Sequence, residues 1–284
     1  MERPPNPAAA VTAPAASIPD KFVLPPTLVT PHKWTDTIAV SRDTASQGVW
    51  VRNEHGIYAH RKPGIAIPNS HETLREIVCN ILAGWIGVPT PRMELLEHEH
   101  HGACLLSYDL PDGQTYRWYS VMELKVNERL YADAFLQLEN YAGPVTVLDI
   151  LVGACDRRNS GNHLYVERER RWYTIDYGFS FNRFPDRFGV GDPAAGYGTV
   201  LKQEAWPEII QAIGRNKGLL NQALNIVELI PDETLDALLL LPPEPFGDEG
   251  TRGQMSTFLK YRRSRIRDLV RVWCEKVGLA GAVT

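Results

Sequence analysis

No pair of cysteines in this chain stands at CxxC spacing. Its four cysteines, Cys79, Cys104, Cys155 and Cys274, are scattered, which excludes a compact zinc ribbon and the disulfide framework of small secreted domains. They read as reduced thiols, and a cytoplasmic protein is expected. Long apolar runs are also missing. The most apolar stretch, Leu235 to Leu241, is far shorter than the roughly 20 residues needed to cross a bilayer. Neither sign of charge dominates, the formal net charge being −4, so bulk electrostatics do not suggest a general nucleic-acid binder. The opening segment MERPPNPAAAVTAPAAS lacks a basic start, and prolines interrupt its apolar residues; this is not the pattern of a signal peptide. A Pro/Ala-rich segment of this kind buries too little to order itself, so residues 1–18 are expected to be a flexible tail.

What is present is enough apolar sequence for a real core, 44% of 284 residues, in one large domain or two joined lobes. Thr37 to Val40, Gly48 to Arg52 and Ile57 to Lys62 read as strands, the last two joined by the turn Asn53-Glu-His-Gly56. Leu74, Ile77, Val78, Ile81, Leu82, Trp85 and Ile86 recur at helical spacing until Gly87, Pro89 and Pro91 stop them. Met93 to Leu96, Gly102 to Ser107 and Tyr116 to Leu124 read as further strands. Helices then dominate: Leu130 to Asn140, Val145 to Ala154, Gln203 to Gly214, Leu219 to Ile230 and Met255 to Val277. One hairpin interrupts them, His163 to Glu167 with Arg171 to Ile175. The expected fold is α+β and two-lobed, with a strand-rich N-lobe holding one helix (19–124), a helical C-lobe (125–284) and a cleft between them.

The chemistry concentrates around that hairpin. Asp156-Arg-Arg-Asn-Ser-Gly-Asn162 leads into it and Ile175-Asp-Tyr-Gly-Phe179 leaves it. The residue entering the first strand of an antiparallel pair lies beside the residue leaving the second, which sets Asn162 next to Asp176. Magnesium takes hard oxygen ligands and keeps few from protein, so this pair suits it. Asp156 is placed to accept a proton from a substrate hydroxyl. Asp and Asn also abound in ordinary turns; here the spacing, the hairpin and the preceding strands together favour the catalytic reading.

These residues resemble the catalytic core of the HipA-like kinases and the related phosphatidylinositol 3- and 4-kinases. The matches are Asp156-Arg157, Ser160-Gly161-Asn162 and Ile175-Asp176-Tyr177-Gly178. The resemblance implies a protein-kinase-like fold, ATP and Mg²⁺ as cofactors, Asp156 as the catalytic residue, and Asn162 and Asp176 as metal ligands. The gap from Asp156 to Asn162 is one residue longer than the commonest family pattern, which leaves Asn159 as an alternative ligand. The resemblance further implies that Ser46, Gln47 and Gly48 cover the ATP phosphates, and that Lys62, before a proline, binds ATP. Strand parity leaves Arg61 open as that cation. Glu76 stands where the family's helix supplies a glutamate to hold the lysine, although a helical wheel turns it away from the apolar stripe, toward solvent. Glu123 and Leu124, at the end of the strand before the helical lobe, occupy the hinge position where backbone groups meet adenine. The implied activity is ATP-dependent phosphoryl transfer to a hydroxyl, of protein serine or threonine. The alternatives are a phosphatidylinositol or small-molecule kinase, and a nucleotide-binding pseudokinase or regulatory module.

Three other features carry less. Glu97-His-Glu-His-His101 has two histidines at a spacing that would suit zinc but no further ligands to complete a site, and reads as a solvated turn. The last helix carries Lys260, Arg262, Arg263, Arg265, Arg267 and Arg271 around an apolar stripe. It reads as a docked helix with a solvated basic face, the alternative being attachment to an acidic partner or lipid headgroups. The loop 182–198 follows the metal motif where kinases place an activation segment, and Ser180 and Thr199 are candidate phosphorylation sites.

Overall fold

The computed structural model describes residues 22–40, 48–63, 71–98, 102–110, 115–125, 127–157, 159–181, 190–194, 206–244 and 246–284. The expected tail 1–18, most of the segment 182–198, the His100-His101 pair, Thr199, and Ser46 and Gln47 all lie outside these residues.

Five antiparallel strands form the first sheet: β1 (Trp34–Val40), β2 (Val49–Asn53), β3 (Tyr58–Pro63), β4 (Met93–His98) and β5 (Gly102–Tyr108), in the order β1-β2-β3-β5-β4. The chain ahead of β1 returns to the opposite edge of the sheet. There Thr30 N–H donates to Leu95 O and Leu95 N–H to Leu28 O, at 2.8 and 2.7 Å. The sheet therefore curls, and the outer edge of β4 is covered along these residues.

Helix α1 (Glu72–Ile86) lies against this sheet, and Ile77 packs with Leu95, Leu105 and Phe246. Its other side joins the main core, where Leu74, Val78 and Leu82 cluster with residues of the helical part. Eleven of its 15 residues are buried, including Arg75 and Glu76. The helical wheel therefore misleads here, because an amphipathic stripe presumes one dry face and α1 has protein on nearly every side.

The helical part is built on α2 (Glu128–Val152), started by the Asn127 side chain accepting from Leu130 N–H at 3.1 Å. The sequence reading has two helices here, broken near Gly143-Pro144; the structure has one. A proline inside a helix costs about 3 kcal/mol, whereas burying one large aliphatic side chain returns roughly 1.5–3 kcal/mol. Every residue from Tyr141 to Val152 is buried, so the packing outweighs the break. Helices α3 (Pro207–Arg215), α4 (Lys217–Glu228), α5 (Asp232–Leu240) and α6 (Glu249–Lys276) complete the lobe. The sequence reading assigns no element to α5, although Leu235, Leu238 and Leu239 are buried at helical spacing. No helix among the described residues is long and apolar enough to cross a membrane.

A second correction concerns Tyr116 to Leu124. Only Thr115–Arg117 is a strand (β6), and it pairs with the hairpin β7 (His163–Val166) and β8 (Arg171–Thr174) in a separate three-stranded sheet. Tyr119–Glu123 is a wide helical turn in which Leu124 N–H donates to Tyr119 O at 2.9 Å. The buried residues Trp118, Val121 and Met122 stand at i, i+3 and i+4, a helical pattern and not the alternation of a strand.

The basic helix is also different from expectation. Arg262 is fully buried, donating to Ile150 O and lying over the Phe258 ring. Lys260, Arg263 and Arg267 pair with Asp236, Asp232 and Glu228, and Arg265 and Arg271 both reach Asp268.

Gly143 marks a close helix contact, since a Cβ there would stand 2.7 Å from Leu220 N and 3.0 Å from its Cα on α4. Backbone cannot yield as a side-chain tip does. Gly143→Ala is expected to destabilise the protein by about 1–3 kcal/mol, read as a lower thermal midpoint; an unchanged midpoint would refute this packing.

Candidate active site

Local pairing positions the central residues. Ile175 N–H donates to Asn162 O at 3.1 Å, closing the mouth of the β7/β8 hairpin between Asn162 and Asp176. The extra residue in the loop is absorbed by a single tight turn, Ser160–Asn162, capped by Asn159, whose side chain accepts from Gly161 N–H. Asn159 is exposed and occupied with this cap. Asn162 is buried, and its side-chain amide donates to Asp156 Oδ2 at 2.8 Å. Of the two asparagines, Asn162 is the one the structure sets beside Asp156.

Asp156 Oδ1 is buried and has no hydrogen-bond partner among the described residues. Burial pushes the Asp156 carboxyl up to about 6, against the pull of Arg157 and with a further push from Asp176. Asp176 holds a left-handed backbone, φ +59°, a region that costs most side chains energy and is tolerated best by Gly, Asn and Asp.

The sheet delivers the cation. β3 turns Arg61 to one face, where it forms a two-pronged pair with Asp36 at 2.6 and 3.2 Å. Lys62 takes the other face, and its Nζ lies 2.9 and 3.2 Å from the two Glu76 oxygens and 3.8 Å from Asp176 Oδ1. Burial opposes the Lys62 charge, but Glu76 and then Asp176 outweigh it and hold its pKa above the ordinary value. Burial pushes the Glu76 carboxyl up to about 7 despite the attraction of Lys62. Glu76, which the helical wheel places toward solvent, is thus an inward-facing partner of Lys62.

Gly48 sits against the ring of His60, which shares the strand face of Lys62. A Cβ at Gly48 would fall 1.9 Å from His60 Cε1, so any larger residue would have to displace that ring. Burial, and then Lys62, depress the His60 pKa to about 4, leaving a neutral ring at physiological pH. Glu123 and Leu124 are exposed at the junction before α2, and the Leu124 N–H is engaged within its own turn. Ser180 is fully buried, which puts its hydroxyl out of reach of a modifying enzyme in this conformation.

Sequence reasoning missed the support beneath the site. Arg157 is buried, and its guanidinium donates to Ile175 O (3.0 Å), Asp176 O (3.4 Å), Asn162 O (3.3 Å) and Thr174 Oγ1. Its Nε is 3.3 Å from Asp149 Oδ1, and the Tyr177 hydroxyl donates to the same oxygen at 3.0 Å. The guanidinium also lies over the Tyr177 ring at 4.6 Å. The available signal was Asp149, a lone carboxylate within the apolar run Val145 to Val152 of α2. Removing one member of a buried pair strands the other, at about 3–5 kcal/mol. Arg157→Met is therefore expected to lower the thermal midpoint sharply, with Arg157→Met/Asp149→Leu recovering part of the loss. A double variant no more stable than the single one would contradict the pairing.

No protein-family model matches the sequence, and comparison with curated proteins finds no match. Solved structures do match. The Helicobacter pylori proinflammatory kinase CtkA aligns with a TM-score of 0.54 at 15% identity, over 89% of this chain and 99% of its own. A putative aminoglycoside phosphotransferase of Ralstonia eutropha aligns at 11% identity over 87% of this chain and 93% of its own, with a TM-score of 0.32. The Neurospora crassa PAN3 pseudokinase aligns at 12% identity over 88% and 67%, with a TM-score of 0.33. The latter two alignments are too loose to carry an argument. The likeness to CtkA shows the fold alone: a protein-kinase-like arrangement of a curled antiparallel sheet lobe and a helical lobe.

Proposed function

We propose that this chain is an ATP-dependent phosphotransferase, resembling the HipA-like kinases, that acts on a hydroxyl of protein serine or threonine. The observation that carries the reading is the convergence of Lys62, Glu76, Asp156, Asn162 and Asp176. Strand β3 and helix α1 bring Lys62 and Glu76 to Asp176 at the end of β8, the loop after α2 brings Asp156 to Asn162, and Arg157 joins the two groups through the Asn162 and Asp176 carbonyls.

The residues present fit a magnesium-nucleotide. Asn162 and Asp176 offer hard oxygen donors, Lys62 is a retained positive charge suited to phosphate oxygens, and Asp156 keeps a buried oxygen with no partner among the described residues. Mg-ATP, when bound, supplies the phosphoryl group and the charge that its transfer spreads over oxygen. The chain's own work is positioning and proton handling. Glu76 holds the Lys62 ammonium, Asn162 orients Asp156 through its amide, and Asp156 in its ionised form accepts the proton of the attacking hydroxyl. Residues 19–124 would carry the nucleotide-facing elements and 125–284 the catalytic loop and metal motif. A lipid acceptor is less well supported, because the basic residues of α6 are engaged within the chain.

Incubation with γ-labelled ATP and Mg²⁺, alone or with lysate, is expected to label a protein hydroxyl. Asp176→Ala and Asp156→Asn are each expected to reduce labelling by about 10²-fold or more. Asp156→Asn should at the same time raise the thermal midpoint at pH 7, because it removes a buried, half-unpaired charge. Unchanged labelling in both variants would refute the assignment. Magnesium-dependent nucleotide binding without transfer would identify a pseudokinase instead.

The pH dependence follows from the carboxyl raised to about 6. A base must be ionised to work, so kcat/KM should fall as pH drops through about 6, with a limiting slope of one proton. The stability effect has the opposite sign. A folded-state pKa above the unfolded value favours the protonated fold, so this group's penalty is present above about pH 6 and relieved below it. A flat activity profile between pH 5 and 8 would exclude Asp156 as the base.

A further inference from the structure

Away from Lys62 and Asp176, at the opposite end of β2 from Gly48, two histidines close on one carboxylate oxygen. His32 Nδ1 lies 3.1 Å from Glu54 Oε1, and His55 Nε2 lies 3.6 Å from the same atom. The two rings stand edge to face with centroids 5.3 Å apart. All three ligating atoms fall within 4.8 Å of one another.

The geometry points to a transition-metal site at His32, Glu54 and His55, of the class filled by Zn²⁺. A tetrahedral zinc with bonds of about 2.0–2.1 Å sets its ligand atoms roughly 3.3–3.5 Å apart. Both histidine-to-glutamate separations lie within a few tenths of an ångström of that value, and the histidine-to-histidine separation, bounded by 4.8 Å, closes by rotation of the two rings. His32 and His55 come from separate parts of the chain, and both present a ring nitrogen to the same Glu54 oxygen. The other oxygen, Oε2, is turned away and accepts from Lys33 N–H at 2.9 Å, the kind of outer hydrogen bond that orients a metal-ligating carboxylate. Two nitrogens and one oxygen select against Mg²⁺ and Ca²⁺, which take oxygen ligands. Three protein ligands leave a fourth position for water.

Both arms of the site are fixed in place. Thr30 Oγ1 accepts from His32 N–H at 3.3 Å, and Asn53 Oδ1 accepts from His55 N–H and Ile57 N–H at 3.0 and 2.9 Å. A metal here would tie the chain entering β1 to the β2/β3 turn, more than 20 positions later in sequence. It would act as a clamp on the sheet lobe, and the inference stands whether or not the chain transfers phosphate.

The test is calorimetric titration of tag-free protein with ZnCl₂, and with MgCl₂ in parallel. One saturable zinc site with a Kd on the order of micromolar is expected, with no magnesium signal that the same variants remove. His55→Ala and Glu54→Gln should each weaken zinc binding by about tenfold or more. All three side chains reach the surface, and unchanged metal-free melting curves would confirm that the variants fold. Zinc should raise the thermal midpoint of the parent protein and not of His32→Ala/His55→Ala. The second histidine run is the control: His98→Ala/His100→Ala/His101→Ala should leave the site intact. Absence of saturable binding below about 1 mM would overturn the proposal. So would binding that survives the His32/His55 double variant, or that disappears with the control.

Discussion

Arg157 sits where the end of α2, the loop after it and the β7/β8 hairpin meet, and it joins them through four donated hydrogen bonds and one ion pair. Three of its acceptors are backbone carbonyls, those of Asn162, Ile175 and Asp176. A guanidinium is planar and its donors diverge at fixed angles, so meeting these acceptors constrains the loop and the strand end together. Asp149, supplied from inside an apolar helix, keeps the buried charge compensated. The positions of Asn162 and Asp176 thus rest on a buried polar centre as well as on the local pairing and turn around them.

The sheet lobe is tied to that centre by a second polar contact. Lys62 reaches across to Glu76 on α1 and to Asp176 beyond β8, so one ammonium touches the strand-rich part, the intervening helix and the hairpin end. Helix α1 can serve both lobes because it is buried nearly all round, with Ile77 against the sheet and Leu74, Val78 and Leu82 in the main core.

Much of this was legible in the sequence. Most strands of the first sheet, α1 and the two hairpins follow from periodicity and turn residues, because those signals are local. The rest depended on what surrounds each element. Glu76 is misassigned by a wheel that assumes water on one side. The break at Pro144 is overridden by burial further along α2. Arg262 counts as one of a basic face in sequence, yet it stands four residues from Phe258 and four from Ile266, on the buried stripe itself. Tyr119–Glu123 shows the converse, since Trp118, Val121 and Met122 already carry the helical spacing. Arg157 and Asp149 are the hardest case: their pairing joins residues eight positions apart whose partners only the fold selects.

The left-handed backbone at Asp176 also bears on how such a chain can change over generations. Most residues would strain that position, but asparagine occupies the region nearly as readily as aspartate does. The two are isosteric and differ by a single nucleotide in their codons. One point change can therefore remove the negative charge while leaving the turn, the hairpin and the Arg157 anchorage as they are. At this position fold and charge are inherited separately, and a lineage could lose the chemistry proposed here without any loss of structure to mark the event.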